Sequence, residues 1–524
     1  MADVLKKSTG AASSGRGFLR RDLWMLLAVA TLVMAAGWGI RGSFGHSRGA
    51  MMPGAMLGLI LAVCSRRADW WGRAAIIGLL SAIGWGFGGA SSYGMLIGYS
   101  LKPDWSTSAY GYASLFLVGA LYGGIGGACL GLALTARRSF LESAVGPLVL
   151  TYCLWLLLEW LGVQRWSLEL FAKDPAKPDV TPWLYDTLWI CAVSSLVLSG
   201  FLWPLVPRWR QPLQLIMVIA IGWLVGMALL IGMLGLRINP SRADSWAGCL
   251  GVQVAFIGYL AWHRNRAGIL LCAYGLISGG LGFVVGEFVQ ALGRGRWGVI
   301  GSYPVLQEFG YWTMMEQIFG ACMGLGMGLA VWRLMRNQLT PGEEDVAPAS
   351  FNTFAVFSLL GLVPIFNLMT NVAAWRKEGL VPELVLGLPA GWILTGVGMV
   401  WLLLLWESLR RYRRGELDVV PGTTVGKARA LALVMSALVM VLYALLPAKG
   451  LPTSLCFVAA LSVSAWLLLR VPREPVGSVE GETHGPESEV WRLSWRHGLF
   501  WLAGPVAICL FAYATTLLNI PGKN

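Results

Sequence analysis

Charged side chains are scarce in this chain of 524 residues: 13% of the residues are charged, against 56% that are hydrophobic. With a mean hydropathy of +0.64, this composition excludes an ordinary water-soluble domain and indicates a polytopic membrane protein. The net charge of +13 is not gathered in a basic soluble domain, so we expect no nucleic-acid partner. Lipid contact and membrane topology account for the excess of basic residues instead.

Motifs for metal binding and for nucleophilic catalysis are also missing. The nine cysteines and four histidines form no Cys-x-x-Cys or His-x-x-x-His pair, and there is no nucleophile elbow or phosphate-binding loop. We therefore expect no metal and no cofactor. The cysteines within apolar segments predict packed thiols rather than a disulfide framework; they are Cys129, Cys153, Cys191, Cys272, Cys322 and Cys509.

Long apolar runs dominate the chain. A transmembrane helix needs about 20 apolar residues, and such runs occur near 24–40, 50–65, 74–93, 111–136, 143–163, 183–206, 213–236, 247–262, 267–290, 311–332, 351–373, 383–408, 428–446, 452–469 and 498–519. We predict an all-α fold, a polytopic helical bundle in the membrane. Basic residues concentrate in the loops predicted to lie on the same side of the membrane as the N-terminus, which predicts that this terminus is cytoplasmic. We expect the membrane to be a bacterial plasma (inner) membrane.

Two stretches of the chain carry the same residues in the same order. The Gly-(Ile/Leu)-Arg and Ser-Arg pairs of 39–48 recur at 235–242, and Gly-Ala-Cys at 127–129 recurs at 320–322, an offset of 193. Such a duplication, with six helices per copy, predicts two parallel repeats related by an axis along the membrane normal. The predicted parts are a cytoplasmic tail (1–23), a first six-helix repeat (24–212), a second six-helix repeat (213–413) and an extension with about three further transmembrane helices (414–524).

The predicted loop between the second and third spans reads Ser-Arg-Arg-Ala-Asp-Trp-Trp-Gly-Arg over residues 65–73. Asp69, Gly72 and Arg73 resemble the Asp-Arg-x-Gly-Arg signature of major facilitator superfamily transporters, while Trp70 stands where that family usually has Arg. Together with the parallel six-plus-six arrangement, the resemblance implies a transporter of small solutes that works by alternating access.

A polar, glycine-rich turn follows the first predicted span. It contains Arg41, His46 and Arg48, and two guanidiniums with a histidine suit a carboxylate or a phosphate. The alternatives are that the arginines anchor loops at the headgroups or pair with an acid, and that His46 is incidental. The full predicted substrate-binding set is Arg41, His46, Arg48, Tyr93, Arg237, Arg242, Gln290 and Gln317.

Acidic residues within predicted spans are a sharper signal, because each costs several kcal/mol unless it is paired or hydrated. Glu159, Glu287 and Glu316 fall at similar depth near the outer side. They are our candidates for proton coupling in a polar cavity between the repeats. The alternative is internal Arg–Glu pairing that only holds helices together.

Glycines crowd the third and fourth spans of each repeat, as in 84–94 and 278–287. They permit either close helix contact or local unwinding, and we favour close contact.

The pattern predicts a secondary transporter of a small polar or anionic solute, with a proton as the candidate coupling ion. Its expected partners are the lipid bilayer and that solute. Two alternatives stay open: a membrane enzyme acting on a lipid-linked or glycan substrate at the extracytoplasmic face, with His46 or a glutamate as the general base, and a scaffold subunit. A cavity that reaches mid-membrane between the repeats would favour transport. A shallow outer cleft flanked by Arg41, His46 and Glu316 would favour catalysis.

Overall fold

The computed structural model describes residues 2–45, 47–88, 93–163, 165–167, 188–238, 244–307, 309–336, 349–367, 384–385, 388–414, 416, 423–444 and 451–472. Nearly all of them are helical. In chain order the helices are α1 (Ala2–Arg41), α2 (Ser47–Cys64), α3 (Ala68–Gly72), α4 (Ala74–Gly88), α5 (Gly94–Ser100), α6 (Trp105–Thr135), α7 (Arg138–Trp160), α8 (Leu188–Leu205), α9 (Arg210–Gly226), α10 (Trp246–Trp262), α11 (Arg266–Arg294), α12 (Val299–Ser302), α13 (Pro304–Gln307), α14 (Tyr311–Arg336), α15 (Ala349–Phe357), α16 (Ala390–Arg413), α17 (Thr424–Ala444) and α18 (Leu451–Leu469).

Short irregular elements connect or extend these helices. Gly42–Phe44 and Pro207–Trp209 are 3₁₀ turns, and π-helical turns, Met227–Met233 and Ser358–Leu362, extend α9 and α15. Two strands, β1 (Leu384–Val385) and β2 (Leu388–Pro389), pair antiparallel before α16.

Within the described residues, eight helical segments are long and apolar enough to cross a membrane: Asp22–Phe44, Trp105–Thr135, Arg138–Trp160, Leu188–Leu205, Pro207–Met233, Arg266–Ser302, Tyr311–Arg336 and Thr424–Tyr443. The chain is therefore an integral membrane protein that crosses the membrane several times, as predicted. The apolar run at 498–519 lies outside the described residues, and each other predicted run overlaps a helix. The six-plus-six arrangement stays a prediction.

Two long helices begin at side chains that cap their first turn. The Asp104 carboxylate accepts a hydrogen bond from the backbone N–H of Thr107 at 2.9 Å, and the Asn265 side chain accepts one from Gly268 at 2.8 Å. These bonds satisfy N–H groups that have no partner inside the helix. The hydrogen bonds from Thr107 also lower the pKa of Asp104. They fix where α6 and α11, the two most closely packed helices, begin.

Six helices form a closed ring at the centre of the bundle. Neighbours around the ring pack in the order α1, α2, α4, α6, α11 and α14, and α14 returns to α1. Large aromatic side chains such as Trp38 and Trp85 are completely buried in it. Helices α9 and α10 pack together outside the ring, next to α7, α8 and α6, while α17 and α18 cover α1 and α2. The candidate residues are divided between the ring centre and the junction with these outer helices.

The contact between α6 and α11 consists of glycines at four-residue spacing. Gly119 and Gly123 on α6 face Gly279 and Gly275 on α11. A Cβ atom on Gly123 would fall on the carbonyl oxygen of Gly275, and a Cβ atom on Gly275 would fall on that of Gly123. Absence of side chains therefore lets the two backbones touch, which confirms close contact as the role of these glycines.

The loop that resembles the transporter signature contains α3 and a set of short polar contacts. Asp69 accepts hydrogen bonds from both Nε and Nη2 of Arg67 at 2.9 Å. Arg66 pairs with Asp22 of α1 at 3.2 Å, and Arg73 donates to the carbonyl oxygen of Ala136 at 3.3 Å. The charged residues of this loop thus connect the ends of α2, α4 and α6 with Asp22 of α1, where the apolar part of that helix begins.

Candidate functional site

A buried polar network lies at the ring centre, where α1 ends. The Tyr93 hydroxyl donates to Glu316 Oε1 at 2.8 Å and accepts from Arg41 Nη1 at 3.2 Å. Arg41 Nη2 donates to the Tyr122 hydroxyl at 3.5 Å, and its Nη1 lies 3.8 Å from Glu316 Oε1. All four residues are at most 2% exposed. Four distant stretches of sequence therefore meet around one guanidinium.

Aromatic rings enclose this network. The Arg41 Cζ atom lies 4.8 Å from the centre of the Trp38 ring and 5.5 Å from that of Tyr122, within range of cation–π attraction. Phe283 and Phe319 stack at 4.6 Å beside them. Cation–π attraction and the hydrogen bonds from Arg41 to the two tyrosines offset part of the cost of removing water from the guanidinium. In the structure Arg41 and Glu316 form an internal Arg–Glu pair, which is the alternative to an arginine that binds an anionic substrate.

Gly42 makes the approach of Glu316 possible. It follows Arg41 directly, and a Cβ atom at this position would fall on the Glu316 carboxylate. A side chain there would have to displace the acid, so the glycine positions the ion pair through its small size.

Glu287 lies in a different setting on α11. The Ser100 hydroxyl donates to its Oε1 at 2.8 Å, whereas its Oε2 has no hydrogen-bond partner among the described residues. Gln290, one turn further along, is also completely buried, and neither amide atom of its side chain has a partner there. Buried polar atoms are nearly always satisfied. Two such residues on one helix face therefore form a buried polar patch whose side-chain atoms are incompletely paired among the described residues.

A cavity of about 340 Å³ opens between the central ring and the outer helices. The 3₁₀ turn after α1, together with α2, α4, α7, α8, α9 and α10, forms its walls. Arg48 and Glu159 form an ion pair on its wall, with 21% and 42% of their side chains exposed. Trp155 donates to the hydroxyl of Ser195 at 3.1 Å, which joins α7 to α8 along the wall. This accessible pair contrasts with the sealed pair of Arg41 and Glu316.

The cavity extends deep into the bundle. On α7 its lining runs from Glu159, near the helix end, to Tyr152, which at 1.5 Å per residue is about 10 Å. On α9 the lining runs from Ile216 to Trp223, the middle of the apolar span Pro207–Met233. The cavity is therefore deeper than a surface cleft, and Arg41 and Glu316 do not line it.

The remaining predicted residues lie apart. Arg237 pairs with Asp244 at 3.5 Å, and its carbonyl oxygen accepts from the Tyr110 hydroxyl at 3.3 Å. Gln317 packs against Gly39 of α1. His46 and Arg242 lie outside the described residues.

A second cavity, of about 300 Å³, lies at the C-terminal end of α16 beside Thr353, Trp406 and Arg413. None of the predicted site residues lines it. Among the described residues, no group of three or more His, Cys, Asp or Glu could hold a metal ion.

Several residues in these sites were not predicted as site residues from the sequence. Asp244 is the one acid between 187 and 286, and its isolation beside Arg237 was a usable signal, since a lone acid in an apolar stretch needs a partner. Tyr122, Ser100 and Tyr152 had no comparable signal, because a hydroxyl in an apolar run is common in packed helices.

Comparison with known proteins gave no match: no family model, no curated protein and no solved structure is similar to this chain.

Proposed function

We propose that the chain is a secondary transporter of a small solute and that the cavity beside Arg48 and Glu159 is its binding site. The supporting observation is the cavity's position: its walls come from both stretches of the predicted duplication, and its lining reaches the middle of an apolar span. Transport by alternating access needs a site at mid-depth between two bodies that can rock against each other.

The two bodies of this proposal are the predicted repeats, 24–212 and 213–413, arranged as two parallel six-helix units. The resemblance of Asp69, Gly72 and Arg73 to the major facilitator signature supports the same mechanism. In this proposal the loop contacts that join α1, α2, α4 and α6 keep the inner face of the first unit together.

We assign proton coupling to Glu287 rather than to Glu316 or Glu159. Glu316 and Glu159 each have an arginine partner, whereas Glu287 has one hydroxyl donor and one unpartnered oxygen. A carboxyl in that setting gains or loses a proton without breaking an ion pair. Its charge change would then alter the packing of α11 against α5 and α6.

The test is uptake by proteoliposomes that contain the purified chain, measured by mass spectrometry against a panel of metabolites with and without an acid-outside pH gradient. We expect at least one solute to accumulate with the gradient. Conversion of a solute into a product without net uptake would contradict transport and favour the enzyme alternative.

Glu287→Gln should abolish the effect of the pH gradient on uptake, because glutamine keeps the hydrogen bond from Ser100 but takes up no proton. Exchange of labelled solute without a gradient should remain. Glu142→Gln is the matched control, since Glu142 lies in a half-exposed pair with Arg138. An undiminished response to the gradient in Glu287→Gln would remove Glu287 from the coupling mechanism.

We further propose that the protein lies in a bacterial plasma membrane with its N-terminus in the cytoplasm, as the distribution of basic residues indicates. Alkaline phosphatase, which is active only outside the cytoplasm, is then expected to be active when fused after Ser302 and inactive when fused after Arg414. The reverse result would invert the orientation.

A further inference from the structure

Of the arginines that the sequence predicts to bind substrate, the three that the structure describes each have a carboxylate partner. Arg41 lies 3.8 Å from Glu316, Arg237 lies 3.5 Å from Asp244, and Arg48 pairs with Glu159. Around the 340 Å³ cavity, the charged residues of the described lining are Arg48 and Glu159. The described cavity wall therefore carries one positive and one negative charge and is neutral overall.

This neutrality decides which solute the cavity suits. An anion that bound to Arg48 would separate it from Glu159 and leave that carboxylate without its partner. A cation that bound to Glu159 would leave Arg48 without its partner in the same way. Losing one partner of an ion pair is costly when the other stays partly buried. A zwitterion avoids both penalties, since its carboxylate replaces Glu159 at Arg48 and its ammonium replaces Arg48 at Glu159.

The rest of the cavity is lined mainly by apolar and aromatic side chains. Phe87, Tyr152 and Trp155 form a cluster with ring centres 4.8–5.8 Å apart, on the same helices as the ion pair or next to them. Trp223 and Ile216 add apolar surface from α9. A volume of about 340 Å³ lies in the range of small-molecule sites, roughly 300–1,000 Å³, whose walls are mostly apolar with a few polar groups that orient the ligand.

We propose that this cavity binds an amphipathic zwitterion: an ammonium and a carboxylate attached to the same carbon atom, held by Glu159 and Arg48, with a large apolar or aromatic group among Phe87, Tyr152 and Trp155. An α-amino acid with a bulky side chain has this chemistry. The inference names the solute class of the proposed transporter and so rests on that function, but binding itself is measured separately from transport.

The experiment measures binding to the full-length purified chain in nanodiscs by isothermal titration calorimetry. The probes are L-tryptophan, tryptamine, which lacks the carboxylate, indole-3-propionate, which lacks the ammonium, and glycine, which lacks the apolar group. We expect L-tryptophan to bind about tenfold or more tightly than tryptamine and indole-3-propionate, since one lost charge-assisted hydrogen bond corresponds to at least that ratio. Glycine should also bind about tenfold or more weakly, because it loses the burial of the apolar group.

Two variants identify which residue binds the carboxylate of the ligand and which binds its ammonium. Arg48→Gln should bring the affinity for L-tryptophan down to that for tryptamine, and Glu159→Gln should bring it down to that for indole-3-propionate. Arg138→Gln and Glu142→Gln, in an ion pair on α7 outside the cavity lining, are the matched controls and should leave binding unchanged. Because Arg48 and Glu159 are partly exposed, each of their variants is expected to remain monodisperse. Size-exclusion chromatography checks this.

The results separate this inference from the proposed function. Binding of L-tryptophan without uptake into proteoliposomes would support the site and contradict transport. Gradient-driven uptake of another class of solute, with no binding of L-tryptophan, would support transport and overturn the zwitterion site. Tighter binding of indole-3-propionate than of L-tryptophan, or equal binding of all three indoles, would also overturn it.

Discussion

Replacing Gly275 by alanine will destabilise the protein by at least about 3 kcal/mol, the upper end of typical overpacking costs. The added Cβ atom falls on the carbonyl oxygen of Gly123, and backbone atoms cannot rotate away as a side chain can. Helices α6 and α11 must then separate, which opens the closest contact of the central ring. Fluorescence-detected size-exclusion chromatography after heating should show a large fall in the midpoint of unfolding, or no monodisperse protein.

The matched control is the same replacement at Gly258 on α10. A Cβ atom there meets no heavy atom within 4 Å, and alanine is the better helix former by about 0.5–1 kcal/mol. Gly258→Ala should therefore leave the midpoint unchanged or raise it slightly. Equal effects of the two replacements would show that helix propensity, rather than the contact of backbones, determines the result.

Breaking the buried ion pair at the ring centre should be the other costly change. Removing one partner of a buried pair leaves a charge without compensation, at about 3–5 kcal/mol. Glu316→Gln leaves Arg41, which stays charged at any accessible pH, whereas Arg41→Gln leaves Glu316, which can take up a proton. We therefore expect Glu316→Gln to lower the thermal midpoint at all pH values and Arg41→Gln to lower it mainly at high pH.

A double-mutant cycle checks this interpretation. The variant with both glutamines removes both charges and should be more stable than Glu316→Gln alone, because no uncompensated guanidinium remains. Thermal midpoints at pH 5, 7 and 9 provide the measurement. If the effects of the two single replacements simply added in the double variant, Arg41 and Glu316 would not be energetically coupled, and the 3.8 Å approach would have no consequence for stability.

The membrane helices were predictable because hydropathy over about 20 residues depends on the bilayer and not on neighbouring helices. The order of helices around the ring was not, since it follows from which backbones can touch. Gly123 illustrates this: at the offset of 193 it is the counterpart of Glu316, and the structure presses it against the α11 backbone, where no side chain fits. The glycine at this position thus has a packing reason.

Some of the charged residues of the candidate sites were predictable from the sequence, but their pairing was not. Arg41, Glu316, Arg48 and Glu159 were all predicted as candidate site residues, yet the sequence does not say which arginine meets which acid. Hydropathy also cannot distinguish a sealed pair from an accessible one. That difference depends on the rings of Trp38 and Phe319 around Arg41 and on the cavity beside Arg48.

The ring closure between α1 and α14 has a consequence for biogenesis. Arg41 leaves the ribosome about 275 residues before Glu316, its partner in the finished protein. At a synthesis rate of roughly 5–20 residues per second, the first helix waits tens of seconds with an uncompensated guanidinium. During that interval the arginine has its best environment among lipid headgroups or water at the translocon, so we expect α1 to take its final position only after α14 has been inserted.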